Sequence, residues 1–277
     1  YLPALEFGER PYARFLNETR YLRELAPHAG VPYAALLHDA HDDVTRKAHL
    51  VLEDLSGSTV GWDDLGEPER AARAPDVARL VARFHGAWLT RADLARSVYG
   101  DWDASREAAR ARRSLARALP AGADLPSGPL ETARRLGQDG EIEAVLAEAR
   151  LVGLAHGDLH FQQVLWAREG EEVFLLDYQH VRPAPLGLDL AHLLAVRLGW
   201  LERRALAAPM LAAYREDLRA AGVPVTNADL AREWRVGLAL NFAGLWGLYA
   251  RDPSDLFRDL LLRSWYALEE SADVTVP

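Results

Sequence analysis

The sequence predicts an α+β fold, in which a few short strands come early and helices make up most of the chain. Residues 33–39 and 48–53 have the length and apolar composition of two strands. Two more apolar runs, at 164–166 and 173–176, flank a charged spacer that contains Gly170, which is the pattern of a β-hairpin. Elsewhere apolar residues recur every three, four or seven positions, and this period indicates amphipathic helices.

The predicted helices cover most of the remaining chain. Pro11 opens the first of them, and Glu18 lies beside its apolar stripe. Asp189 is placed to cap the N-terminus of a later helix, and Thr226 or Asn227 begins another, long helix. The helical segments are residues 11–25, 77–88, 104–118, 141–150, 189–198, 209–221, 226–249 and 256–268.

Composition excludes several classes of protein. The 277 residues carry a formal net charge of −9, which argues against a general nucleic-acid binder with its clustered basic face. The chain has no cysteine, so disulfides and cysteine-based metal sites or nucleophiles are excluded. No apolar run approaches the ~20 residues needed to span a bilayer. We therefore expect a cytoplasmic protein, a monomer or weak homodimer, with no nucleic-acid or membrane partner.

The hairpin brings two oxygen-bearing side chains to its open end. If the turn is centred on Gly170, positions equally far from that glycine face each other, so Gln163 lies opposite Asp177. The Cβ atoms of such cross-strand neighbours are roughly 5 Å apart. The tight turn His156-Gly157-Asp158 comes just before the hairpin, and we expect Asp158 to lie beside its open end.

These groups suit a magnesium-dependent reaction. Mg²⁺ prefers carboxylate, amide and water oxygens, and it usually takes only one or two protein ligands because phosphates supply others. Asp177 and the amide oxygen of Gln163 fit that role. Asp158 is placed to accept a proton from a substrate hydroxyl or to orient that hydroxyl. Protein kinases carry a base, an amide ligand and a carboxylate ligand in the same chain order.

This stretch resembles the signature of the aminoglycoside phosphotransferase and choline-kinase-like superfamily, H-x-D-x-x-x-x-N followed by a strand that ends in Asp. His156, Asp158 and Asp177 match the signature, and Gln163 stands at the family's Asn position. Gln offers the same amide oxygen on a stem one methylene longer. Three further segments resemble family landmarks: residues 50–55 the hinge strand, 80–88 the first helix of the large lobe, and 187–191 the G-x-D-L-A helix start.

The resemblance implies a protein-kinase-like two-lobe fold. A small N-lobe with an antiparallel sheet, incomplete in this chain, would occupy residues 1–55, and a larger, mainly helical C-lobe residues 56–277. The phosphate-binding lysine and the glycine-rich loop are then expected just before Tyr1. Glu18 would pair with that lysine. The backbone carbonyl of Glu53 and the backbone N–H of Leu55 would bind the edge of an adenine.

The function that the resemblance implies is an ATP-dependent phosphotransferase, which moves the γ-phosphate to a hydroxyl of a small molecule such as a sugar, an amino alcohol or an aminoglycoside. ATP and Mg²⁺ are the expected cofactors, with Asp177 and Gln163 as metal ligands and Asp158 as the catalytic group. His156 would hold the catalytic loop through a hydrogen bond to the backbone near Asp177. Structural support is expected from His160 and Asp189.

Two alternatives remain open on the residues themselves. His156, Asp158 and His160 are close in sequence and would suit a zinc site, which would indicate a metal-dependent hydrolase. Gln163 would also suit a catalytically weak, kinase-like protein that binds a nucleotide or another ligand. Zinc content after purification tests the first alternative, and a strong rise in ATP turnover in Gln163→Asn would support the second.

Overall fold

The computed structural model describes residues 5–6, 8–118 and 124–273. The chain divides into two compact units. The first consists of Tyr1–Gly100, His156–Arg182 and Pro209–Pro224, and the second of Asp101–Ala155, Pro183–Ala208 and Val225–Pro277. Of the predicted site residues, Asp189 alone belongs to the second unit. This division does not test the predicted lobe boundary after residue 55, which stays a prediction.

The described part of the chain is mainly helical with small sheets, so the predicted α+β class is confirmed. Within the described ranges, no helix combines the length and the apolar character that a membrane span requires. The elements in chain order are β1 (Leu5–Glu6), α1 (Glu9–Glu24), α2 (Ala26–Ala29), β2 (Leu36–Asp42), β3 (Lys47–Leu52), β4 (Thr59–Gly61), α3 (Glu67–Thr90), α4 (Ala92–Tyr99), α5 (Ala104–Ala118), α6 (Ser127–Leu136), α7 (Glu141–Leu146), β5 (Val152–Ala155), β6 (Val164–Ala167), β7 (Val173–Leu175), β8 (Arg182–Pro185), α8 (Gly187–Ala191), a π-helical segment (His192–Val196), α9 (Trp200–Ala220), α10 (Asn227–Tyr249) and α11 (Asp255–Asp273).

The first unit begins with a three-stranded antiparallel sheet against which a helix packs. The strand order is β1-β3-β2. Helix α1 places Tyr12 and Phe15 against Ala48 of β3, and together they form a small apolar cluster. The predicted first helix and both predicted strands are confirmed, with ends shifted by one to three residues.

A second antiparallel sheet, in the order β4-β6-β7, contains the predicted hairpin. The backbone N–H of Ala167 donates to the carbonyl of Glu172 at 2.9 Å, so the loop consists of residues 168–171. A loop of even length is centred just before Gly170, not on it. The predicted register is therefore wrong by one residue, and Gln163 faces position 176, the residue before Asp177.

An aromatic cluster connects three elements of the first unit. The ring of Tyr21 on α1 stacks on Tyr178 with centroids 4.2 Å apart, and Phe84 on α3 lies 6.2 Å from Tyr178. Trp88 on α3 packs edge-on against Tyr21, and none of its surface is exposed. Tyr178 directly follows Asp177 in the chain. The aromatic cluster therefore anchors the turn that contains Asp177 against α1 and α3.

The second unit is organised around α10. Its largest fully buried core residues include Phe242 and Trp246 of α10 and Leu115 of α5. Thr226 caps α10: its hydroxyl accepts a hydrogen bond from the backbone N–H of Asp229 at 3.1 Å, while the Asp229 carboxylate accepts one from the backbone N–H of Thr226 at 2.9 Å. The predicted start of this long helix is confirmed.

Helices α8 and α10 meet through their backbones. A Cβ added to Gly187 would lie 1.7 Å from the carbonyl oxygen of Glu233, and one added to Gly237 would lie 1.8 Å from the carbonyl oxygen of Gly187. The fully buried carboxylate of Glu233 accepts hydrogen bonds from the backbone N–H groups of Arg150 and Leu151 at 2.7 and 2.8 Å, and from that of Gly187 at 3.4 Å. Glu233 thus ties the segment before β5, and the start of α8, to α10.

Candidate active site

The loop that carries Asp158 starts where β5 ends, and two local features fix its path. His156 is fully buried, and its Nε2–H donates to the backbone carbonyl of Leu176 at 2.9 Å. Gly157 has a φ of 86°, and a Cβ there would lie 2.3 Å from the carbonyl oxygen of His180. Only glycine suits both this conformation and this close approach. Asp158 is therefore carried on a turn that is held on both sides.

The imidazole of His156 is also packed between aromatic rings. Its ring centroid lies 5.6 Å from that of Tyr178 and 6.4 Å from that of Phe84. The hydrogen bond to Leu176 joins the loop of Asp158 to the backbone just before Asp177, which is the contact that the family signature implies for this histidine. His156 therefore acts on the position of the loop.

Gln163 connects the same loop to Asp177. It ends a 3₁₀ turn (Phe161–Gln163), and its side-chain oxygen Oε1 accepts a hydrogen bond from the backbone N–H of His160 at 3.0 Å. Its Nε2 group donates to Oδ2 of Asp177 at 3.1 Å. Only 4% of Gln163 is exposed. Gln163 and Asp177 thus lie side by side, as expected, although the hairpin register differs from the predicted one.

Asp177 has an uncommon backbone conformation. Its φ of 66° lies in the left-handed region, which costs a residue other than glycine roughly 1–2 kcal/mol. The side-chain amides of Gln163 and Gln179 both donate to its Oδ2, each at 3.1 Å. The following turn is held by Asn17 of α1, whose Nδ2 donates to the carbonyls of Gln179 and Val181 at 3.0 and 2.9 Å. Side-chain hydrogen bonds therefore hold the Asp177 turn in place.

Glu18 of α1 lies against this turn. Burial raises the pKa of Glu18 from 4.5 to about 7, and the negative charge of Asp177 adds to that effect. A hydrogen bond from the backbone N–H of Tyr178 lowers the pKa of Glu18 by a smaller amount. Two carboxyl groups are thus close together in a partly buried place, and a cation bound there would relieve their repulsion.

A cleft of about 570 Å³ lies beside these two carboxyl groups. Its size is within the usual range for small-molecule sites. Glu18, Glu53, Leu55 and Asp177, four of the predicted site residues, line it together, whereas Asp158 and Gln163 are not among its lining residues. Apolar walls come from Leu22, Ala34, Leu52, Leu165 and Leu176.

The predicted hinge is held in place by hydrogen bonds of backbone groups that the expected adenine contact does not use. The backbone N–H of Glu53 donates to the carbonyl of Ala35 at 2.9 Å. The carbonyl of Leu55 accepts hydrogen bonds from the backbone N–H of Ser58 at 3.1 Å and from Oγ1 of Thr59 at 2.7 Å. The predicted adenine contact would use the carbonyl of Glu53 and the N–H of Leu55, and neither group takes part in these hydrogen bonds.

His180 is a candidate functional residue that the sequence patterns did not single out. Burial lowers the pKa of His180, while the negative charges of Asp158 and Asp177 raise it and the positive charge of Arg14 lowers it further. Both carboxylates therefore lie within electrostatic range of this imidazole. The only signal in the sequence is the position of His180 three residues after Asp177, and a lone histidine at that spacing has no specific meaning.

The two residues predicted to give structural support are placed differently. His160 contributes its backbone N–H to Gln163. Asp189 is the third residue of α8 and is fully buried, whereas the N-cap of that helix is Leu186. The prediction that Asp189 caps the helix is wrong, because the helix begins two residues earlier, at Gly187. The supporting roles of both residues stay predictions.

The residues around Asp177 fit a magnesium ion. A carboxylate is a preferred ligand of Mg²⁺, which commonly completes its coordination with phosphate and water oxygens. A zinc site is a different case, since it needs three or four protein ligands. Among residues 5–6, 8–118 and 124–273, no group of three or more His, Cys, Asp or Glu side chains could hold a metal ion. The hydrolase alternative thus lacks the cluster that it requires from His156, Asp158 and His160.

Comparison of the sequence with protein families gave one extended match. The model described as "Phosphotransferase enzyme family" matches residues 5–223. A comparison with curated proteins gave no match.

Solved structures share the fold at low sequence identity. A candidate aminoglycoside phosphotransferase from Ralstonia eutropha has a TM-score of 0.63 and 19% identity, over 96% of this chain and 82% of its own. A choline/ethanolamine kinase family protein from Mesorhizobium loti has a TM-score of 0.57 and 20% identity, over 94% and 79%. The GDP complex of wild-type aminoglycoside 2′-phosphotransferase-IIIa has a TM-score of 0.58 and 15% identity, over 96% and 84%. The predicted kinase-like fold class is confirmed.

Proposed function

Because this chain belongs to the phosphotransferase enzyme family, we propose that it transfers the γ-phosphate of ATP to a hydroxyl group of a small molecule. The main support is a pair of contacts that joins the loop of Asp158 to the turn of Asp177. These are the hydrogen bonds from His156 to the Leu176 carbonyl and from Gln163 to Asp177. They would hold a proton acceptor and a cation-binding carboxylate in a fixed relation, as phosphoryl transfer requires.

The nucleotide would occupy the cleft of about 570 Å³. Its apolar walls suit a purine, and the carbonyl of Glu53 with the N–H of Leu55 would pair with the edge of the base. One structural relative was solved with GDP, which supports a nucleotide site in this fold. Glu18 lines the same cleft and would pair with a phosphate-binding lysine.

Asp158 would act on the acceptor. Its carboxylate would accept a hydrogen bond from the acceptor hydroxyl, orient the oxygen toward the γ-phosphorus and take the proton as the new P–O bond forms. The bond from the γ-phosphorus to the bridging oxygen of ADP breaks in the same step. Asp177 would hold Mg²⁺, which when bound neutralises charge on the phosphates. Most of the rate gain would come from alignment and charge stabilisation.

The acceptor is proposed to be a sugar, an amino alcohol or an aminoglycoside. Two structural relatives are named for aminoglycosides and for choline and ethanolamine, and those names apply to the relatives. Fold similarity at this identity does not select among these acceptors. A hydroxyl beside a cationic amine is common to several of them, and the net charge of −9 would attract such a substrate weakly.

The test is a screen of ATP consumption against sugars, amino alcohols and aminoglycosides. Asp158→Asn keeps the shape of the side chain and removes the base, so turnover should fall by roughly 10²–10⁴-fold. Asp93→Asn is the matched control, because that side chain is 95% exposed on α4. Thermal unfolding should show that both variants keep the fold. Unchanged turnover in Asp158→Asn would remove this residue from the reaction.

A further inference from the structure

We infer that Gln163 orients the carboxylate of Asp177 and does not itself bind the magnesium ion. This inference rests on the proposed function for the presence of the metal, and it is drawn from two hydrogen bonds between protein groups. Gln163 would then be a positioning residue, and Asp177 would act as a ligand on its own. The resemblance to the family signature had assigned both residues as ligands.

The orientation of the Gln163 amide is fixed by the two groups that it contacts. A backbone N–H can only donate, so the group that faces His160 must be the oxygen Oε1. A carboxylate can only accept, so the group that faces Asp177 must be the Nε2 amine. Rotating the amide to aim its oxygen at a metal beside Asp177 would place two oxygens together and two N–H groups together. Both hydrogen bonds would be lost in a site where Gln163 is 4% exposed.

Both contacts depend on the length of the Gln163 side chain. At the end of a 3₁₀ turn, Gln163 reaches back to the N–H of His160, which is the position that Gln or Glu occupies in a capping box. The hairpin register places Gln163 opposite position 176, so the amide must also reach one residue further to contact Asp177. The extra methylene of Gln allows both contacts at once. A shorter Asn side chain is expected to make only one of them.

The backbone conformation of Asp177 is a further reason for a positioning role of Gln163. Its left-handed φ of 66° is unfavourable for a residue with a side chain. The amides of Gln163 and Gln179 converge on one oxygen, Oδ2, and so restrict rotation of the carboxylate. This arrangement directs the carboxylate without using the amide oxygen of Gln163. The magnesium site would then take its other ligands from phosphate and water.

The sharpest test is NMR of the side-chain amides, because the chain has only four glutamines, at positions 138, 162, 163 and 179. Protein labelled with ¹⁵N in glutamine side chains is measured metal-free and again with Mg²⁺ and a non-hydrolysable ATP analogue, and Gln163→Met identifies the signal. The Gln163 amide protons should exchange slowly in both states. Fast exchange in the metal-free protein, or loss of protection on adding Mg²⁺ and nucleotide, would overturn the inference. The metal-free measurement stands even if no phosphotransfer is found.

A second measurement separates positioning from a purely structural role. Gln162→Met is the matched control, because Gln162 lies on the same 3₁₀ turn and is exposed. We expect Gln163→Met to weaken Mn²⁺ binding to the complex with the ATP analogue about tenfold, as loss of a group that orients a metal ligand does. The control should keep wild-type affinity. Equal Mn²⁺ affinity in the two variants would contradict a positioning role for Gln163.

Discussion

Replacing Glu18 by glutamine is expected to stabilise the metal-free protein at pH 8 and to change its stability little at pH 5. Burial, with the charge of Asp177, raises the pKa of Glu18 from 4.5 to about 7. The folded protein therefore binds this proton more tightly than the unfolded chain does. The stabilisation from the bound proton is complete below pH 4.5, and it is lost as the pH rises through about 7.

The two pKa values set the size of the effect. One pKa unit corresponds to about 1.4 kcal/mol. Ionising Glu18 in the folded protein thus lowers the free energy of unfolding by under about 1 kcal/mol at pH 5 and by about 3 kcal/mol at pH 8. Glutamine has no proton to lose, so the variant avoids this loss. For a chain of this size, about 3 kcal/mol corresponds to a rise in Tm of roughly 6–12 °C.

Thermal unfolding at pH 5 and pH 8 measures this difference. Glu24→Gln is the matched control, because Glu24 lies on the same helix and is exposed. The gain in Tm of Glu18→Gln over wild type should be several times larger at pH 8 than at pH 5, while Glu24→Gln should follow the wild type at both. An equal gain at the two pH values would show that Glu18 titrates like an exposed carboxyl, and the reasoning about its burial would be wrong.

Three further predictions concern the loop and the second unit. Gly157→Ala should lower turnover about 100-fold in the screening assay, because its Cβ would lie 2.3 Å from the carbonyl oxygen of His180 and would displace the turn that carries Asp158, the proposed catalytic residue; wild-type turnover would contradict this. Glu233→Leu leaves the backbone N–H groups of Arg150 and Leu151, which are part-buried, without their acceptor, so urea unfolding should show a loss of about 3–5 kcal/mol, whereas a loss under about 1 kcal/mol would refute the role assigned to this carboxylate. Thr226→Ala should cost about 1 kcal/mol by the same measurement through loss of the N-cap, and an unchanged urea midpoint would argue against it.

Local patterns were sufficient for most of the elements. The apolar period of α1 and the helix-starting residues Thr226 and Asn227 are properties of short segments, and the structure places both helix starts within two residues of the predicted ones. The convergence of Gln163 with Asp177 was also predictable, because both flank one hairpin. Such features depend on residues that are neighbours in sequence.

Features that depend on several segments at once were not predictable. The hairpin register depends on the four-residue loop, and Gly170 alone could not reveal whether the loop was even or odd in length. Asp189 was placed at a helix start from a motif, but the helix begins at Gly187 because α10 packs against it there. The orientation of the Gln163 amide depends on a backbone donor, His160, and the capping-box signature did not reveal this contact because it expects Ser or Thr at the position of His160.

The backbone contact between α8 and α10 at Gly187 and Gly237 limits which residues of these helices can be substituted. No side chain separates α8 from α10 there, so the two helices cannot slide past each other to accommodate a larger residue. Substitutions in α10 should therefore be made on its other faces and should leave Gly187, Gly237 and Glu233 unchanged. Replacing α10 by the matching helix of a relative should succeed only when that helix has a glycine at the position of Gly237.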